Sequence, residues 1–213
     1  RPRIVEHVHA VEQRGLLDPL ATGVVPVRQA VEHDVVAHAL AQVEGLDRDA
    51  LDITNERAVH RVMQRELPVV VVNCAAYTAV DLAEENEYEA TRINGEAAGF
   101  VAAAAEEIGA KVYYPSTDYV FDGLKTEPYL EGDEVNPAGA YGRSKLAGEI
   151  ATAEANPRHA IVRTSWLYGL DGKNFVETML TLAQQQNEVL VVRDQFGCPT
   201  YTKQLAEAIV EMF

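Results

Sequence analysis

The sequence predicts an α/β fold, a Rossmann-like doubly wound parallel sheet with helices on both faces. Two observations carry that reading. Short apolar runs of four to six residues recur without polar alternation, as strands buried on both faces do. Between them lie stretches with helical spacing, which together imply βαβ units with right-handed crossovers. No low-complexity tract, fixed-period repeat or Pro/Gly/Ser linker breaks the 213 residues, so residues 1–213 are expected to form one domain.

Taken in order, the first 28 or so residues follow neither pattern and are expected to be atypical. His33-Asp34-Val35-Val36 is a candidate strand. Pro68-Val69-Val70-Val71-Val72-Asn73 is the most β-branched run, and 111–114, 159–163 and 189–192 are expected to be the further strands. Residues 86–109 read as a helix, with an alanine-rich body and Gly109 as its stop. Three more helices are expected over 141–155, over 174–186 (Phe175, Met179 and Leu182 at helical spacing) and over 203–212.

Composition narrows the function. Lys and Arg total 18 against 33 Asp and Glu, a net charge of −15 with a pI near 4.7. Such a field repels nucleic acid and anionic membranes, so neither is an expected partner, while a local anion site stays possible. Cys74 and Cys198 make no CxxC pair, so neither a disulfide framework nor a metal site is expected. His7 and His9 are spaced like a strand-borne metal pair but lack further ligands. The apolar runs fall short of the roughly 18 residues of a membrane span, and the start lacks a signal-peptide core. A cytoplasmic location follows as the expectation.

In a parallel sheet ligands bind beyond the carboxyl ends of the strands, so the residues after each strand are the candidates for chemistry. Asn73-Cys74-Ala75-Ala76-Tyr77-Thr78 offers small residues that let a ligand approach the backbone, or simply a tight turn. Ser116-Thr117-Asp118 places hydroxyls and a carboxylate at a strand tip, as a polar substrate site or an ordinary turn would. Tyr141-Gly-Arg-Ser-Lys145 puts a phenol and an ammonium on one helical face. A cation beside a phenol lowers its pKa from about 10 towards the range of a general acid. That spacing is common by chance; its place 24 residues after Thr117 is what raises its weight. Trp166, the only tryptophan, falls at the edge of the 159–163 run, as a core residue or a ligand-stacking one.

Six motifs together resemble the dTDP-4-dehydrorhamnose reductase family of the extended short-chain dehydrogenase/reductases. They are Asn73-Cys-Ala-Ala-Tyr-Thr-Ala-Val-Asp81, Ser116-Thr-Asp-Tyr-Val-Phe-Asp-Gly123, Tyr141-Gly-Arg-Ser-Lys-Leu-Ala-Gly-Glu149, Val162-Arg-Thr-Ser-Trp-Leu-Tyr-Gly169, Gly172-Lys-Asn-Phe175 and Asp194-Gln-Phe-Gly-Cys-Pro-Thr200. The resemblance implies a dinucleotide-binding domain and NADPH- or NADH-dependent reduction of the C4 ketone of a nucleotide-linked 6-deoxysugar, in cell-surface polysaccharide precursor synthesis. It implies Tyr141 as the acid, Lys145 as the group that lowers its pKa and holds the nicotinamide ribose, and Thr117 on the same oxygen. It further implies that Gly23, Asp52, Ile53, Ala75, Ala76, Tyr77, Thr78 and Asn94 meet the cofactor together with Tyr141 and Lys145. Thr117, Asp118, Trp166 and Asn174 would meet the dTDP-sugar. A homodimer is the expected assembly at most.

Two departures qualify the resemblance. The cofactor's glycine loop should follow the first strand, yet of Leu20-Ala-Thr-Gly-Val-Val-Pro-Val27 only Gly23 fits. Pro26 falls where the last glycine is wanted, and no clear strand precedes it, so weak dinucleotide binding is expected. The family also continues for several dozen residues beyond the helix ending near Phe213, so part of the substrate-closing portion is expected to be missing. Two alternatives follow: a non-catalytic binding or regulatory homologue on the same scaffold, or a nucleotide-sugar epimerase or dehydratase. The latter is disfavoured because Asp118 is followed by Tyr119, where dehydratases carry a second acidic residue.

Overall fold

A computed structural model of the chain describes residues 43–170 and 172–212, together with the backbone of 24–28. Six strands are described. β1 (Val24–Arg28), β2 (Pro68–Asn73), β3 (Lys111–Thr117) and β4 (His159–Thr164) form one sheet in that order; β5 (Leu167–Tyr168) and β6 (Thr200–Tyr201) form a second, two-stranded one. β2, β3 and β4 are parallel, with register running from Val112↔His159 to Thr117↔Thr164 across the longer pair. The βαβ reading of runs 68–73, 111–114 and 159–163 is therefore realised.

The helices lie on both faces of this sheet. Val71 and Val112 point to one face, where they join a core with Val59, Met63, Ala97, Val101 and Ala105. Val70 and Tyr113 point to the other, with Ala160 and Val162, and meet Leu205 and Ile209. The alternation follows from the two-residue period of a strand, and both faces are apolar because both are covered. Each fully buried Val or Met contributes roughly 1.5–3 kcal/mol. The Tyr113 hydroxyl donates to the Met212 carbonyl at 2.6 Å, fastening the far end of the last helix to the sheet.

Helix α1 (Glu56–Glu66) was not anticipated. The Asn55 side chain accepts from the Ala58 N–H as its N-cap, and Val59, Val62 and Met63 form its buried stripe. The helix expected over 86–109 is present but not uniform. After the single turn α2 (Val80–Ala83) it runs as α3 (Glu87–Thr91), a π-helical turn over Arg92–Glu96, and α4 (Ala97–Glu107). Gly109 follows at φ +80°, the left-handed stop that its position suggested. α5 (Ala140–Ala155), α6 (Phe175–Gln185) and α7 (Thr202–Glu211) match the other three expectations.

Two expectations are corrected. Residues 189–192 belong to neither described sheet, and Leu190, Val191 and Val192 are exposed. Their apolar run satisfies the composition of a buried strand, but composition cannot supply a neighbouring ladder. The segment around Pro26, expected as a helix-entry loop without a preceding strand, is instead β1 itself, antiparallel to β2 with Val24 opposite Asn73. A proline is tolerated on such an edge strand because its missing N–H can face away from the ladder. Gly23, the 33–36 run, His7 and His9 lie outside the described residues. Among the described residues no helix is long and apolar enough to cross a membrane, and no cluster of three His, Cys, Asp or Glu could hold a metal.

Candidate active site

The carboxyl ends of β2 and β3 open onto the start of α5, and most of the singled-out residues sit there. At the end of β3 the Thr117 side chain accepts from the Tyr119 N–H at 3.2 Å and donates to the Asp118 carboxylate at 3.2 Å. The Tyr119 ring meets Tyr141 edge-on, with centroids 5.8 Å apart, and the Thr117 side chain is near enough to the Tyr141 phenol to act on its acidity. α5 brings Tyr141 this close because Gly142, the next residue, has no side chain. A Cβ there would lie 2.2 Å from the Tyr119 carbonyl.

Lys145 is buried one turn further along α5. Its ammonium donates to the Pro115 carbonyl at 2.8 Å and stands 4.0 Å from the centre of the Tyr114 ring. Burial pulls it down to about 7, against the upward influence of Cys74 and Glu149. Burial pushes the Tyr141 phenol the other way, up to about 12, helped by the Asp118 carboxylate and Tyr119 and opposed by Thr117. Asp118 is itself raised by burial. Lys145 is not among the groups that act on the Tyr141 phenol here. In this arrangement desolvation outweighs any cation effect, and Tyr141 keeps its proton firmly at neutral pH.

The loop after β2 is built from small buried residues, Ala75 and Ala76, followed by Tyr77, while Thr78 is exposed. Asn94, at the centre of the π-helical turn, holds this loop: it accepts from the Tyr77 N–H at 2.7 Å and donates to the Tyr77 carbonyl at 3.1 Å. It also donates to the Ser144 hydroxyl at 2.8 Å. Asn94 is fully buried and both its side-chain donors are used in holding this loop and α5. Asp52 and Ile53 lie apart from this cluster, in a surface recess shared with Arg48, Glu89 and Arg92. There Asp52 accepts from the Thr54 N–H and hydroxyl, which lower its pKa.

Trp166 stands just beyond β4, half-exposed and with a positive φ of 47°. Asn174 turns out to be the N-cap of α6: it accepts from the Glu177 N–H, and its amide donates to the carbonyls of Gly169 and Gly172. Both its donors are spent on the backbone. Three residues were missed. Ser144 completes the Asn94 network, Pro115 supplies the Lys145 acceptor, and Glu149 binds Arg163 and Ser116 beneath the site. Glu149 was detectable, because it falls one helical turn after Lys145 and two after Tyr141.

A nicotinamide dinucleotide fits this edge of the sheet on one observation. The Asn73 amide nitrogen at the end of β2 is buried without a partner, beside the small Ala75 and Ala76, so a donor and room for close approach coincide. The parallel strands β2 to β4, their crossovers and the Tyr-x-x-x-Lys helix at their carboxyl edge place the chain among Rossmann-like α/β proteins. Residues 27–213 match the model of the RmlD substrate binding domain, and the chain belongs to that family. It is 46% identical over 168 residues to a dTDP-4-dehydrorhamnose reductase of Burkholderia thailandensis, covering 79% of this chain and 56% of the relative. The chain thus spans about half the length of the curated relatives it matches. Among solved structures it resembles the Clostridium acetobutylicum dTDP-4-dehydrorhamnose reductase (TM-score 0.76, 49% identity, 78% of this chain and 59% of that one). It also resembles the Bacillus anthracis enzyme in complex with NADP (TM-score 0.77, 46% identity, 78% and 60%).

Proposed function

We propose that this chain is the catalytic portion of an NAD(P)H-dependent reductase that converts the C4 ketone of a dTDP-linked 6-deoxysugar to an alcohol. The single observation behind this reading is the meeting of Tyr141 with the Thr117–Asp118–Tyr119 corner at the end of β3, on a helix that also carries Lys145. A phenol that keeps its proton at neutral pH is a donor waiting for an oxygen that gains charge, which is what a ketone becomes on reduction.

Lys145, Asn73 and the 75–78 backbone would hold the nicotinamide dinucleotide at the ends of β2 and β3, and the recess around Asp52 and Ile53 would take its adenine end. When bound, that cofactor supplies hydride to the carbonyl carbon. Tyr141 donates its proton to the C4 oxygen, and Thr117 steadies the same oxygen by turning its single hydroxyl proton from Asp118 to that oxygen. Asp118 accepts a neighbouring sugar hydroxyl, and Trp166 offers an exposed ring to the sugar nucleotide. The protein works in the cytoplasm, without nucleic acid or membrane as a partner.

The test is consumption of NADPH or NADH by purified chain with a dTDP-4-keto-6-deoxysugar, against UDP-glucose as a control. Reductive consumption with the keto sugar alone is expected. Interconversion of UDP-sugars without net cofactor consumption would instead establish an epimerase, and tight sugar-nucleotide binding without turnover a binding homologue.

A further inference from the structure

We propose that Glu149 and Arg163 are positioning residues, a buried clamp that sets Thr117 and Lys145 in place through the end of β3. The inference rests on the reductase reading for its consequence and on the geometry alone for the clamp. The Glu149 carboxylate, buried on α5, accepts from the Ser116 hydroxyl at 2.6 Å and from the Arg163 Nε and terminal nitrogen at 2.9 and 2.7 Å. One side chain thus ties α5 to β3 and β4, and each tie falls next to the chemistry. Ser116 adjoins Thr117 in the chain, Glu149 is one turn past Lys145, and Arg163 is the register partner of Ser116. Arg163 reaches further still. Its guanidinium lies 5.0 Å from the Phe121 ring, which stacks on Tyr129 at 4.1 Å. The Tyr129 hydroxyl in turn donates to Asp122 at 2.9 Å, so the clamp also anchors the loop that leaves the Thr117–Asp118 corner.

A buried ion pair is a poor way to add stability, because an apolar pair of similar volume is often as good. What a bidentate carboxylate–guanidinium pair adds is direction, since its two parallel hydrogen bonds hold a fixed plane. Here that plane sets the rotation of α5 against the sheet, and with it the reach of Tyr141 and Lys145 towards Thr117. The clamp also leaves a carboxylate near Lys145. The groups acting on that ammonium are Glu149 from its own helix and Cys74 from the β2 loop, with the Tyr114 ring of β3 beneath it.

The test uses Glu149→Gln, which keeps the volume and an acceptor for Ser116 but removes the charge and half of the fork. In the reductase assay kcat should fall roughly tenfold to hundredfold, the scale of a small misplacement of reacting groups. KM for sugar and cofactor should stay within about threefold, because ground-state contacts are untouched. In protein labelled with 13C at the lysine ε-carbons, the Lys145 resonance should titrate at lower pH than in wild type. Arg163→Lys, which keeps Glu149 charged but loses the fork, should reproduce the kcat loss and leave that titration in place. A Glu149→Gln protein that melts earlier yet keeps wild-type kcat and Lys145 titration would overturn the proposal. Should Glu149→Gln not fold, the double variant Glu149→Gln/Arg163→Met, which leaves no lone buried charge, takes its place with the same expectations. The titration needs no substrate. Wild-type protein without turnover whose Lys145 still responds to Glu149→Gln would refute the reductase reading and support the clamp.

Discussion

The Asn94 side chain grips Tyr77 at both ends of its backbone, taking its N–H at 2.7 Å and returning a hydrogen bond to its carbonyl at 3.1 Å. The helix carrying Asn94 widens into a π turn at that point, as helices do where a functional residue has been inserted. The Asn94 carbonyl accepts from the Tyr114 hydroxyl at 2.9 Å. One residue thereby joins the β2 loop, strand β3 and helix α5 under the candidate site.

Replacing Asn94 with Ala should therefore orphan the buried Tyr77 N–H and carbonyl. At about 1–3 kcal/mol for each unsatisfied group, the loss should total roughly 2–6 kcal/mol. Asn94→Asp keeps the acceptor but neither donor and should fall between. Urea unfolding measures both. An Asn94→Ala protein as stable as wild type would show that water replaces the grip.

Gly148 marks the tightest contact between α5 and that network. A Cβ at this position would stand 2.0 Å from the Asn94 carbonyl and 2.3 Å from the Tyr114 hydroxyl. Both are held by hydrogen bonds and cannot retreat cheaply, so Gly148→Ala should cost about 3 kcal/mol or more by overpacking. Gly132, with open space around it and no positive φ, is the control, and Gly132→Ala should change stability by less than about 0.5 kcal/mol. Thermal melts of the two variants should separate clearly.

Lys145 gives the fold a distinct pH signature. The unfolded lysine holds its proton to about 10.4, whereas burial brings the folded group down to about 7. Between those values the unfolded state binds more protons, so this group's contribution to stability rises with pH. From pH 7 to 9.5 the gain should be roughly 3 kcal/mol. Tyr141, raised to about 12, acts oppositely but only above about pH 10, where the unfolded phenol begins to ionise. Urea midpoints across pH 7–9.5 should rise in wild type and stay flatter in Lys145→Met. Parallel curves would mean that Lys145 stays charged inside.

The sheet and most helices were legible in the sequence because buried parallel strands leave uninterrupted β-branched runs, as in 68–73. The same signal misled at 189–192, where an equally apolar run finds no ladder among the described strands. α1 went unread although Asn55 and the Val59–Val62–Met63 stripe announce it. Within the site, motif spacing put Tyr141 against the Thr117–Tyr119 corner and Lys145 against β3, because a strand tip and a helical face are both local geometry. What it could not give was the dielectric around them. The buried face of α5 carries Ser144, Lys145, Glu149 and Thr152, polar residues that read as solvent-facing, so desolvation as the dominant influence on Tyr141 and Lys145 was invisible. The backbone bonds of Asn174 and Asn94 were hidden for a related reason: a side-chain amide reads the same whether it meets a ligand or a backbone.

The central claim is that Tyr141 delivers the proton as hydride reaches C4. The most direct measurement is transfer of label from NADPH deuterated at its reactive position to a dTDP-4-keto-6-deoxysugar, followed by mass spectrometry in wild type and Tyr141→Phe. Deuterium should appear at C4 of the wild-type product. Tyr141→Phe should transfer it at least about a hundredfold more slowly, the usual worth of a positioned general acid. Its NADPH affinity should stay unchanged, because the phenol acts on charge that develops only in the transition state. Equal transfer rates in the two proteins, or none in wild type at saturating NADPH, would contradict the account.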